Sequence, residues 1–190
     1  MTDPVARVEC FVFRCERDEP YLGGLRPGET VNAKGYFVRA QNRTVYPVFD
    51  RSVLVRVTSR HGAVGWGETY GIVAPGAVTA IVDDLLASFV VGRDPLDAAA
   101  IHDDLYDLMR VRGYSGGFYL DALAAIDIAL WDLAGRLTGL PVGKLLGGRR
   151  RDRVPAYLSG LPKPTLPERV ELARTWAARG FTAVKFAAAV

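Results

Sequence analysis

Residues able to do chemistry are few in this sequence, and most have an ordinary use. Cys10 and Cys15 are its only cysteines, five positions apart near the start of the chain. That spacing makes a poor disulfide framework and no metal quartet, so both read as buried or idle thiols suited to a reducing compartment. The Gly-rich stretch Arg110 to Gly117 lacks the spacing of a phosphate loop, and no Lys-Ser/Thr follows it. Asp127 lies between Ile126 and Ile128 in a run that reads as buried helix. A carboxylate there needs a partner or capping donors, and a structural acid is the better reading than a catalytic one. Asp132 and Arg136 are spaced to pair along the same helix. On residues alone, Lys185 in the run FTAVKFAAAV is a strand-end lysine reaching solvent.

Composition narrows the classes. A length of 190 residues suits one large domain, or one domain with a fragment of a second. At 49% hydrophobic and 24% charged, the chain can form a core, and disordered or collagenous readings are excluded. The net charge of +3 resides wholly in Arg149, Arg150, Arg151 and Arg153, offset by Asp152. This local cluster reads as a solvated linker, and no nucleic-acid partner is expected, since that would require a broad basic face. No run reaches the roughly 18 apolar residues of a membrane span; Gly71 to Val82 is short and ends in Asp83-Asp84. Met-Thr-Asp-Pro places an acid where a secretory signal would be basic, so a cytoplasmic location and no membrane partner are expected.

The elements that must position these residues follow from pattern. Val5 to Phe13 alternates and is rich in β-branched and aromatic residues, which predicts a strand. Ser52 to Ser59 and Ala63 to Tyr70, joined at Arg60-His61-Gly62, predict a hairpin. Gly65 and Gly67 in the return strand imply close backbone approach or a bulge. Between the first two strands, Arg14 to Asp50 is broken by Gly23-Gly24, Pro27-Gly28 and Asn32-Ala33-Lys34-Gly35. So long an irregular connection is often a lid or binding loop, with Tyr36 to Ala40 a candidate extension of the second strand. Helices are predicted over Gly76 to Val91, from the cap Asp94-Pro95 to Arg110, and over Leu120 to Leu137, the last apolar almost all round. Beyond Arg153, Val154 to Ser159 reads as a strand, and Thr165 to Glu168 as a capping box. The helix it opens runs to Arg179, with Val170, Ala173 and Ala177 as its apolar face and Trp176 at the margin. Phe181 to Val190 reads as a buried strand, parallel to the first.

The stretch AIDIALWDLAGRLTGLPVGKLLGG, Ala125 to Gly148, resembles the signature of the mandelate racemase and muconate lactonising enzyme group of the enolase superfamily. The Gly-x-Gly-Glu strand end at Gly65 to Glu68 is similar to its capping domain, and the βαβ after Arg153 to the first two strands of its barrel. The resemblance implies an α+β capping domain over residues 1–150, a three-stranded antiparallel meander followed by helices. Residues 151–190 would then be the incomplete start of a TIM-type (β/α) barrel. It further implies abstraction of the proton α to a carboxylate, with Mg²⁺ stabilising the enediolate as a Lewis acid. In the family the metal carboxylates come from the third to fifth barrel strands, so the Mg²⁺ ligands are expected to be absent from this chain and to belong to the complete enzyme.

The family often carries Lys-x-Lys at the end of the second barrel strand, where i and i+2 share a face. Here the segment is Lys185-Phe186-Ala187. The resemblance gives Lys185 a contact with the substrate carboxylate and removes the base, because the Ala187 methyl cannot take a proton. Racemisation between two opposed bases is disfavoured; dehydration of a sugar acid by one base is the first expectation, with epimerisation or cycloisomerisation next. Family caps also set specificity through two loops, here Arg14 to Asp50 and about Tyr70 to Pro75, so Tyr21, Arg39 and Tyr70 become candidate substrate-binding residues. A homo-oligomer is implied as well. The rival expectation is a non-catalytic stand-alone module that associates with itself or a partner through its open barrel edge.

Overall fold

The computed structural model describes residues 3–20 and 23–186. Its backbone forms two compact units, Met1–Cys15 with Arg51–Arg149, and Glu16–Asp50 with Arg150–Val190.

In the first unit, strands β1 (Val5–Cys15), β4 (Asp50–Ser59) and β5 (Val64–Tyr70) form one sheet in the order β1-β4-β5. β4 and β5 pair antiparallel, Ser52 opposite Tyr70 and Val57 opposite Gly65. Alternation along β4 turns Val53, Val55 and Val57 inward, all fully buried. They meet the long helix α4 (Phe118–Thr138), whose buried residues include Ala122, Leu123, Ile126, Ala129, Leu130 and Leu133. The expectation that this helix is covered on most sides holds, with Ala124 and Ile128 on its open side. Asp132 accepts from Arg136 Nε at 3.1 Å and also from the Trp66 backbone N–H at 2.9 Å, which ties α4 to β5.

The Gly76 to Val91 helix forms as α1 (Pro75–Ile81), a π-helical turn (Val82–Leu86) and α2 (Ala87–Val90). Its buried side chains, Val78, Val82, Leu86 and Val90, recur every fourth residue. Four residues overshoot one α-turn by roughly 40°, and a wider turn compensates that drift, so all four stay on one side. Asp94 Oδ1 accepts from Leu96 N at 3.0 Å, and a 3₁₀ turn (Pro95–Asp97) leads into α3 (Ala98–Arg110). The Tyr119 hydroxyl donates to the Leu105 carbonyl, joining α4 to α3. A short α5 (Val142–Leu145) follows.

In the second unit the structure corrects several expectations. Tyr36–Val38 (β2) does not extend the second strand; it pairs antiparallel with Val45–Pro47 (β3) in a hairpin of its own. The turn before it explains why: Asn32 Oδ1 accepts from Lys34 N and Tyr36 N, and Gly35 turns the chain at φ 78. The Phe49 ring lies 2.4 Å from where a Cβ on Gly35 would sit, so a side chain at this turn would meet that buried ring. The strand expected over Val154 to Ser159 shrinks to β6 (Leu158–Ser159), and its partner β7 is Val184–Lys185, with Ala187 to Val190 outside the described residues. The two are parallel as expected, Leu158 opposite Val184. Neither is buried: Val184 is 37% exposed and Leu158 only partly covered, because a parallel pair is covered only when neighbours flank it. Between them α6 (Leu166–Ala178) starts at the expected capping box, Thr165 Oγ1 accepting from Glu168 N while Glu168 accepts from Thr165 N. Its inner face differs from expectation. Val170 is exposed, whereas Trp176 is half-buried and packs edge-on against Phe181 at 5.3 Å.

Candidate functional site

Lys185 sits on β7 with its side chain exposed, opposite Ser159 on β6. Its carbonyl accepts from Gly160 N at 2.8 Å, and the Ala183 carbonyl accepts from Leu158 N at 3.0 Å. These bonds fix the strand end from which the ammonium projects. Ala187, the residue where the family pattern has its base, lies outside the described residues, as does Tyr21.

Residues 23–50 carry a buried ion pair. The Arg39 Nη1 donates to Glu29 Oε2 at 2.9 Å, with side-chain exposures of 3% and 1%. Both ends are held further. Glu29 accepts from the backbone N–H groups of Arg26 (2.8 Å) and Ala40 (3.1 Å). Arg39 donates to the carbonyls of Gly24 and Gly23, each at 3.1 Å, and lies 4.9 Å over the Phe37 ring. Phe37 is buried and tilts against Tyr46. Arg39, expected at the substrate, is thus enclosed in this network, while Tyr70 ends β5 with half its surface open.

Burial works against the Glu29 carboxylate, but the two backbone donors and the Arg39 and Arg26 charges outweigh it and hold its pKa below the usual 4.5. The sign follows from linkage. A carboxylate with a depressed folded pKa contributes stability that is complete above its unfolded value, and that contribution is lost as pH falls through the folded value. Acid is therefore expected to loosen this segment below about pH 4.5. The amide shifts of Arg26 and Ala40, followed by NMR against pH, check this; in Glu29→Gln they should show no such step.

Near Tyr70, Ser52 Oγ donates to Glu68, and Arg51 Nη2 donates to the Ile72 carbonyl at 2.9 Å. The turn beyond holds Ala74 at φ 49, a conformation uncommon for a residue with a Cβ. Elsewhere in the first unit, Trp66, Asp127, Ile128, Trp131, Asp132, Val142 and Leu146 line a cleft of about 550 Å³. Asp127 accepts a hydrogen bond from Trp131, and His102 Nδ1 lies 3.5 Å from its Oδ1 without forming one. Burial pushes its pKa up, against the His102 charge and a hydrogen bond from Trp131. Cys10 is half-buried; burial first, then the negative Asp83 that accepts from it, pushes its pKa up to about 12, which fits an idle thiol.

Among the described residues, no group of three or more His, Cys, Asp or Glu side chains is arranged to hold a metal ion. The described residues by themselves do not fit Mg²⁺. Among the same residues, no single helix is long and apolar enough to cross a membrane.

The described residues form a three-stranded sheet backed by helices and, later in the sequence, a parallel strand-helix-strand unit. Residues 43–147 match the N-terminal domain of the mandelate racemase / muconate lactonizing enzymes. The chain belongs to this family. A crystallised member of the enolase superfamily from Agrobacterium tumefaciens superposes with a TM-score of 0.92 at 63% identity, covering 98% of this chain and 48% of that one. A mandelate racemase/muconate lactonizing protein from Paracoccus denitrificans, solved in complex with magnesium, gives 0.67 at 32% identity over 95% of this chain and 41% of its own. Among curated relatives, the D-galactarolactone cycloisomerase of Agrobacterium fabrum is 40% identical over 124 residues, 64% of this chain and 32% of the relative. The D-galactonate dehydratase of Xanthomonas euvesicatoria is 42% identical over 115 residues, 60% of this chain and 29% of the relative. The chain thus spans about half the length of the solved relatives, and its matches cover about a third of the curated ones.

Sequence reasoning missed Glu29, Ser52 and the cleft. Glu29 and Arg39 are ten residues apart in an irregular stretch, and nothing local to either marks their pairing as a buried one.

Proposed function

We propose that residues 1–150 are the capping domain, and 151–190 the first βαβ of the barrel, of an enzyme that abstracts the proton α to the carboxylate of a sugar acid. In this reading dehydration is the first assignment, with cycloisomerisation or epimerisation next, and Mg²⁺ is the cofactor of the complete protein, held by groups outside the described residues. The observation that carries it is the family match over residues 43–147, whose named relatives act on galactonate and galactarolactone. Lys185 at the end of β7 supports it: an exposed ammonium there can meet a carboxylate at the face where barrel sites lie. Tyr21 and Tyr70 are assigned to the substrate surface, and Arg39 through the segment it holds. A homo-oligomer is assigned from the same resemblance, and a cytoplasmic location from the free thiols of Cys10 and Cys15. Relatives that are enzymes favour this reading over a non-catalytic module.

The test is a sugar-acid screen of the complete protein with and without Mg²⁺, D-galactonate among the probes. Dehydration releases water and leaves a keto acid, detectable as its semicarbazone; cycloisomerisation yields an isomer of unchanged mass. No change in any sugar acid, with Mg²⁺ supplied, would sink the proposal. The 190-residue chain alone is expected to be inactive in the same screen.

A further inference from the structure

The Arg39–Glu29 pair holds more backbone than an ion pair needs. Glu29 gathers N–H groups from Arg26 and Ala40, on either side of it in the chain. Arg39 reaches back fifteen and sixteen residues to the carbonyls of Gly24 and Gly23, next in sequence to Tyr21 and Leu22. Stacking on Phe37 fixes the guanidinium to the β2–β3 hairpin. One pair thereby ties residues 23–24, 26 and 40 together. The planar fork spreads its donors, Nη1 to Glu29 and the Gly24 carbonyl and Nη2 to the Gly23 carbonyl; a lysine carries its three donors on one nitrogen and does not reproduce that spread. Arg39 Nε meanwhile is buried with no hydrogen-bond partner, so the arrangement is not the one that stability alone would choose.

We propose that Arg39 and Glu29 are positioning residues: they clamp residues 23–40 into one preformed body, and Arg39 acts on substrate through that body without touching it. This rests on the reading of the segment as the specificity loop of a sugar-acid enzyme. At 3% exposure, with both terminal nitrogens committed, the guanidinium has no face left for a ligand.

Two measurements test it. The first is amide hydrogen exchange on the complete protein, which needs no substrate. In Arg39→Met the amides of Gly23, Arg26 and Ala40 should lose protection together by about tenfold or more, while those of Val53 to Val57 stay within about twofold. In Arg39→Lys, which keeps the charge, Ala40 should stay protected while Gly23 does not. Equal protection of all three in Arg39→Lys and the wild type would overturn the clamp, as would a matching loss across β4. The second is steady-state kinetics of the complete enzyme on D-galactonate. Arg39→Lys should raise KM about tenfold and leave kcat within about twofold, the signature of lost ground-state placement. A fall in kcat at unchanged KM would overturn the positioning role. If the wild type turns over no sugar acid, the functional reading fails, while the exchange pattern still decides the clamp.

Discussion

Replacing Gly67 by alanine is expected to destabilise the sheet-and-helix unit by about 3 kcal/mol, the upper end for overpacking. The cause is where the new methyl would lie. A Cβ on Gly67 falls 1.9 Å from the Ala125 carbonyl oxygen and 2.9 Å from both Ala125 C and Ala129 N. All three are backbone atoms of α4, which cannot rotate away as a side chain would. Gly65 repeats the situation one pleat earlier, 2.2 Å from the Ala129 oxygen. The strand and the helix therefore approach to a distance that only hydrogen permits at these positions. Urea unfolding of Gly67→Ala against Gly76→Ala checks it, since a Cβ on Gly76 meets nothing within 4 Å. Gly76→Ala should be neutral or slightly stabilising in its helix, by up to about 1 kcal/mol. Equal midpoints for the two variants would show that the close approach is not what holds the unit.

Lys185→Ala is expected to lower kcat/KM of the complete enzyme about 100-fold or more, the scale for removing a charge that stabilises a developing oxyanion. The substrate carboxylate gains negative charge as its α-proton leaves, so the ammonium is worth more in the transition state than in the bound acid. Lys185→Arg should recover part of the loss, because charge is kept while the point geometry is not. Turnover of Lys185→Ala equal to wild type would remove the residue from the mechanism. The lysine is exposed on a two-residue strand, so a general loss of folding is not an alternative cause.

Local rules suffice wherever neighbours in sequence decide the outcome. The alternation of Val53, Val55 and Val57 set the inward face of β4, and Thr165 with Glu168 set the start of α6. Gly65 and Gly67 announced a close approach before its partner was known. Ala125 to Gly148 marked the family, because a motif of that length is read residue by residue. Misreadings fell where neighbours distant in sequence decide. Tyr36 looked like an extension of the second strand because its pattern is strand-like, and pairing with Val45 to Pro47 is a choice between partners that pattern does not rank. Val154 to Ser159 carried strand-forming residues, yet only two pair, since a parallel strand is stabilised by flanking strands more than by its own composition.

The sequence by itself determined the family and the sheet and helix segments that bury a face. These rest on periodicity and short motifs, which any chain displays before it folds. Only the tertiary structure decided that Arg39 is enclosed, that Glu29 is its partner, that β5 lies against the backbone of α4, and that the helix from Pro75 to Val90 widens at Val82 to Leu86. Charge pairing across ten residues and a methylene-sized gap between two elements depend on how faces are brought together, and no local pattern records that distance.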